Sequence, residues 1–166
     1  LSIIACLGLS LLIVNGRMSD LQKEVDYVSV HDIEVHDVLS ALQKNILDME
    51  TGMRGFVITG DPQYLDPYNS GIRTWMDNYN KLSVLIGDNP SQSQNLKALE
   101  TTIQSYVKTA GEPAIQLKQN NDTEGLRNFF ELQVGKKIMD QMRSQFDSFL
   151  VAEKQLTAQR VEQLKG

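Results

Sequence analysis

The residues best suited to chemistry lie in the first third of the chain. His31, Asp32, Glu34, His36 and Asp37 crowd potential metal ligands into one short stretch. On a helix the two histidines stand about 140° apart around the axis, so one ion does not easily take both. Asp32 and His36 do share a face, but two ligands do not close a metal site. The stretch therefore reads as a solvated acidic face, and no metal is expected. Further on, Glu50 precedes Arg54 by one helical turn, the favourable order for an intrahelical ion pair. The Arg54 guanidinium is also able to grip a ligand carboxylate bidentately, although no second basic residue stands near it in the chain to help. A nucleophile beside a base, paired acids in a pocket-forming context and a Gly-rich phosphate loop are all missing, so catalysis has no candidate residues and no cofactor is implied. The single Cys6 excludes an internal disulfide and a cysteine-based zinc site.

Composition narrows the class. With 166 residues and 41% hydrophobic content the chain supports one core. Only 4 Pro and 11 Gly occur, and no run alternates apolar with polar positions, which points to an all-α fold. The net charge of -5, with Lys and Arg scattered, leaves no footprint for nucleic acid or anionic lipid.

The elements follow from apolar steps of three and four. Leu21, Val25, Val28, Val35, Leu39, Leu42, Ile46, Met49, Met53 and Phe56 form one seam, interrupted only by Asp32, and predict a straight helix ending at Thr59-Gly60. Asp61-Pro62 opens the next. A second helix carries Leu65, Tyr68, Ile72, Trp75, Tyr79, Leu82 and Ile86 up to Gly87-Asp88-Asn89-Pro90. A third carries Leu96, Leu99, Ile103, Tyr106, Ala110 and Leu117, with a kink expected at Pro113, and ends at Asn120-Asn121-Asp122. The last holds Met139, Met142, Phe146, Phe149, Glu153, Leu156 and Arg160, with a break expected at Gly135. Asn121-Asp122-Thr123 matches a glycosylation acceptor, usually silent in a bacterial protein. The helices measure roughly 60, 40, 45 and 65 Å. Short connections make neighbours antiparallel. The expected architecture is an up-down four-helix bundle whose long first and last helices share one end. There they extend beyond the shorter two as a stalk that buries its seam best against a second copy, giving a homodimer.

Leu1 to Val14 carries no charge but is shorter than the roughly 20 residues that cross a bilayer. It reads as the second half of a transmembrane anchor, with Cys6 inside it. A signal-peptide core lacks a cleavage site here, and a lipoprotein acylation site at Cys6 fits poorly with the apolar residues that follow. Residues 1–18 are therefore assigned to the anchor and its border, and 19–166 to the helical domain.

One block is distinctive. Asp48-Met49-Glu50-Thr51-Gly52-Met53-Arg54-Gly55-Phe56-Val57-Ile58-Thr59-Gly60-Asp61, then Tyr64-Leu65-Asp66-Pro67-Tyr68, resembles the defining motif of the third family of CHASE domains, the cyclase- and histidine-kinase-associated sensory extracellular domains. Asp88-Asn89-Pro90, the stretch from Gly135 to Arg143, and Glu153 with Leu156 and Arg160 continue the resemblance, which covers about residues 25 to 160. Met53 stands where the motif usually has a polar residue. The resemblance implies a periplasmic or extracellular sensor between two membrane helices of an inner-membrane receptor. Such a domain feeds a histidine kinase, a methyl-accepting chemotaxis domain or a nucleotide cyclase. The motif residues Glu50, Thr51, Gly52, Arg54, Gly55, Thr59, Gly60 and Asp61 then serve to lock a helical hairpin.

Two further expectations concern signalling. Aligning the helices from their turns puts Trp75 level with Tyr106, flanked by Met49 and Gly135. Either Gly135 makes room for the indole, or Trp75, Tyr79 and Tyr106, with Arg54 as an anchor, bind a small or periplasmic ligand. Asp32, Glu153 and Arg160 interrupt the seams toward the membrane, where polar groups fix register at a cost in stability and suit a transmission element. The simpler view has Glu153 solvated and Arg160 snorkelling. A passive dimerising spacer is the alternative to a sensor.

Overall fold

The computed structural model describes the backbone of residues 2–165 and the side chains of residues 11, 13–19, 21–23, 25 and 30–162. The side chains of most of the apolar run from Leu1 to Val14, Cys6 among them, lie outside the described residues, as does that of Val28. Among the described residues no helix is long and apolar enough to cross a membrane.

The fold is all-helical. Its α-helices are α1 (Ser2–Thr59), α2 (Leu65–Leu85), α3 (Pro90–Tyr106), α4 (Glu112–Gln119), α5 (Thr123–Glu131) and α6 (Val134–Lys165), with a 3-10 turn at Pro62–Tyr64 and a π turn at Val107–Gly111. Six α-helices thus stand among the described residues where four were expected, and the differences have local causes. The third expected helix is one unbroken helical run, α3–π turn–α4. Pro113 has no N–H, and in an α-helix its ring would clash with the carbonyl of residue 109. The preceding turn widens instead, so that the Glu112 N–H bonds the Val107 carbonyl five residues back. The last expected helix breaks at Leu132–Gln133 rather than at Gly135. Gln133 takes a φ of 54°, and its carbonyl accepts from the Lys137 N–H at 3.0 Å, starting α6. At the other end α1 runs through Asn15-Gly16-Arg17 without interruption.

The chain forms two compact units. Residues 35–152 hold the core, with Val35, Leu39, Leu42, Ile46, Met49, Met53 and Phe56 of α1 all buried. Trp75 and Leu82 of α2, Leu96, Leu99, Ile103 and Tyr106 of α3, and Met139, Met142, Phe146 and Phe149 of α6 complete it. Polar ties fix the register of these helices. Asn45 of α1 donates to Thr74 at 2.8 Å and accepts from Asn78 at 2.7 Å on α2. The buried Gln92 of α3 donates to the Phe149 carbonyl of α6 at 3.2 Å.

The second unit comprises residues 1–34 and 153–166. In it the Thr157 hydroxyl donates to Asp32 Oδ1 at 2.8 Å, and Arg160 lies 3.8 Å from Glu153. Glu153 is only 2% exposed, so it is not the solvated residue the simpler reading expected. Asp32 is half-buried, which removes it from a freely solvated face. Met18, Leu21, Val30 and Ile33 of α1 are exposed apolar side chains in this unit.

Candidate functional site

The distinctive block builds the hairpin between α1 and α2. Gly60 ends α1 with a φ of 75°, a left-handed conformation costly for other residues, and its N–H bonds the Phe56 carbonyl at 2.7 Å. The Thr59 hydroxyl donates to the Gly55 carbonyl at 2.7 Å and accepts from the Asp61 N–H at 3.1 Å. Asp61 in turn caps the 3-10 turn by accepting from the Gln63 N–H at 2.9 Å. Gly52 lets the start of α2 press directly on α1, since a Cβ there would stand 2.7 Å from the Tyr68 nitrogen and 2.9 Å from the Tyr64 carbonyl oxygen.

The same block supplies one wall of a cavity of about 190 Å³. Glu50, Met53 and Arg54 come from α1, Tyr106 from α3 and Ala110 from the π turn. Phe129 and Phe130 of α5 close one side, and Gln133, Val134, Gly135, Lys136 and Met139 bring the α5–α6 break to the cavity's edge. The left-handed Gln133 is what turns the chain sharply enough for two aromatic residues of α5 and the first turn of α6 to face one space.

Glu50 is the electrostatic centre. It is 4% exposed, and its two carboxylate oxygens are shared between Arg54 at 2.8 Å and Arg143 at 3.4 Å. Arg143 also reaches Asp140 at 2.8 Å, and Asp140 pairs with Lys136 at 2.6 Å. The Lys136 hydrogen bond, aided by the positive charges of Lys136 and Arg143, holds the Asp140 carboxyl below its ordinary range. Arg54 is therefore not the isolated base that its surroundings in the chain suggest, because Lys136 lines the same cavity and Arg143 shares its carboxylate.

Tyr106 is the unusual member. Its side chain is 1% exposed, and its hydroxyl has no hydrogen-bond partner. Burial, then the charge of Glu50, pushes that hydroxyl well above the normal tyrosine range, while Arg54 acts the other way. Nearby, the Tyr68 hydroxyl is also buried without a partner, and burial, then Glu112, pushes it up to about 12.

Of the residues considered for ligand binding, Arg54 and Tyr106 meet at the cavity, whereas Trp75 and Tyr79 are not part of its lining. Trp75 packs edge-on to Tyr79 with ring centroids 6.4 Å apart. Gly135 does not make room for the indole. A Cβ there would meet Ala110 at 3.4 Å and nothing else so near. Phe129, Phe130, Gln133 and Lys136 escaped the sequence reading, since they belong to a short helix and a break that apolar periodicity did not reveal. Among the described residues no group of three or more His, Cys, Asp or Glu side chains is placed to hold a metal ion.

The all-helical core thus holds a pocket framed by the buried Glu50 and the basic side chains of Arg54 and Lys136. The chain belongs to the CHASE3 domain family, whose model matches residues 28–163, and is thereby a sensory input domain. Its fold is similar to the crystal structure of the sensor domain of the Rhodopseudomonas palustris histidine kinase HK9. The TM-score is 0.68 at 23% sequence identity, over 75% of this chain and 97% of that one. No curated protein matches the chain.

Proposed function

We propose that this chain is the extracytoplasmic input domain of a transmembrane receptor, held in the inner membrane by flanking helices and signalling to a histidine kinase or a methyl-accepting chemotaxis domain. In this reading it folds as an antiparallel four-helix bundle, with α3–α4 as one helix and α5–α6 as another, and works as a homodimer. The exposed apolar residues of α1 in the second unit favour a second copy as their cover. The similar HK9 domain, named as a histidine kinase sensor, favours a kinase as output.

The observation that carries a sensing role, against a passive spacer, is the cavity beside the Glu50 network. A spacer gains most from a close-packed interior throughout, whereas this interior keeps space of ligand size next to a buried hydroxyl without a partner. The Asp32, Glu153 and Arg160 positions are the transmission element of the proposal. Filling the cavity tests it. Gly135→Leu projects new bulk beside Ala110, and in the full receptor it should abolish stimulus-dependent output while the domain still melts cooperatively. A receptor whose output is the same with and without this substitution would be carrying a spacer.

A further inference from the structure

The chemistry of the cavity specifies a class of ligand. Arg54 and Lys136 line it as cations and Glu50 as an anion, which leaves one net positive charge. Adding the outer partners Arg143 and Asp140 does not change that balance. Glu50 is held by both arginines, and it fixes the Arg54 guanidinium at the rim while leaving it donors to spare. Arg54 is 55% and Lys136 63% exposed at the side chain, so both are reachable from solvent. Most of the remaining lining is apolar, with the Phe129 and Phe130 rings edge-to-face at 5.6 Å, Met53 and Met139, and Gln133 as the polar exception. A cavity of about 150 Å³ takes a benzene ring, and this one, at about 190 Å³, has room for a ring with one small polar substituent.

One further feature marks the polar end. The first turn of α6, Val134 to Lys136, brings backbone N–H groups without intrahelical acceptors to the same edge. A carboxylate accepts from these N–H groups and pairs with Arg54 and Lys136. A dianion would be undercompensated by one net charge, and a cation would face Arg54 and Lys136.

We propose that the cavity binds a small organic monocarboxylate with a ring-sized apolar body, its carboxylate held by Arg54, Lys136 and the N–H groups that open α6, its body against Phe129, Phe130, Met53 and Met139. This rests on reading the chain as a ligand-sensing domain. Direct binding to the chain, however, is separable from receptor output: a carboxylate that binds without moving the output would leave this assignment standing and remove the sensing role.

The test is calorimetric titration of the chain with benzoate and cyclohexanecarboxylate, against benzamide, benzylamine and inorganic phosphate. The two carboxylates should bind and the other three should not. Tyr106→Phe removes only an unpartnered hydroxyl without accessible surface, so it should melt at or above the wild-type temperature and bind the carboxylates as wild type does. Lys136→Gln should weaken them about tenfold, and Arg73→Gln, at a residue outside the cavity lining, should not. Benzamide binding as tightly as benzoate, no carboxylate binding at all, or unchanged affinity in Lys136→Gln would overturn the proposal.

Discussion

Gly52→Ala is the sharpest probe of how the hairpin is held. In a helix interior the exchange alone should stabilise by about 0.8–1 kcal/mol, because alanine is the better helix former. Here the new methyl would stand 2.7 Å from the Tyr68 nitrogen and 2.9 Å from the Tyr64 carbonyl oxygen. Both are backbone atoms of a segment pinned by the Asp61 cap, so relief requires lifting the 3-10 turn and the start of α2 together. A clash with two backbone atoms falls in the upper part of the overpacking range, about 2–3 kcal/mol, and outweighs the propensity gain by about 1–2 kcal/mol. For a domain of this size that lowers the melting temperature by about 2–8 °C, readable by circular dichroism at 222 nm. Gly55→Ala is the internal control. A Cβ there would come within 2.4 Å of the Tyr64 ring, but that side chain is 48% exposed and free to swing away. Gly55→Ala should therefore melt close to wild type. A Gly52→Ala protein as stable as wild type, or more stable than Gly55→Ala, would refute the close backbone contact.

Two further outcomes are expected. The Tyr68 hydroxyl sits above its ordinary value of 10.0, at about 12, so the folded state keeps its proton where the unfolded chain loses it. Its contribution to stability is complete below pH 10 and is lost as the pH rises through about 12; urea titrations between pH 9 and 12 should show a shallower decline for Tyr68→Phe, and an identical decline would count against a buried hydroxyl. Glu153→Leu replaces a buried carboxylate that lies 3.8 Å from the Arg160 guanidinium. Because it removes one partner of a buried pair and leaves the Arg160 guanidinium behind, the domain should lose up to about 3 kcal/mol of stability, and in the full receptor the output should be fixed high or low; normal switching would exclude the transmission role.

How far the sequence carries depends on the distance over which each feature is encoded. The seam from Val35 to Phe56 is legible because burial on one helix face repeats locally, and all seven of its residues are buried. The caps at Gly60, Asp61 and Asn89 are legible for the same reason, since each is settled within a few residues. The cavity is not. Its charged members meet because α6 sets Lys136 and Arg143 beside Glu50, and no local pattern fixes the register of helices about 90 residues apart. The level of Trp75 relative to Tyr106 and Gly135 depends on counting residues from the turns, and the π turn together with the break at Gln133 spoils that count. Glu153 looked polar and therefore wet, whereas its burial follows from the packing of the unit rather than from its own chemistry.

The π turn also bears on how this chain lines up with its relatives. Leu96, Leu99, Ile103, Tyr106 and Ala110 step regularly by three and four, and a strict continuation would put residue 113 on the buried face. Ala114 is buried there instead, so the widened turn absorbs one surplus residue and restores the phase of the helix. Geometrically it does what a one-residue insertion would require, taking up the extra residue without rotating α4 by about 100°. Relatives without the insertion should be one residue shorter between the positions of Tyr106 and Ala114 and should be free to lack the proline at 113. An alignment forced to run without a gap would displace every position from the π turn to Gln133 by one residue, and with them the aromatic wall of the cavity.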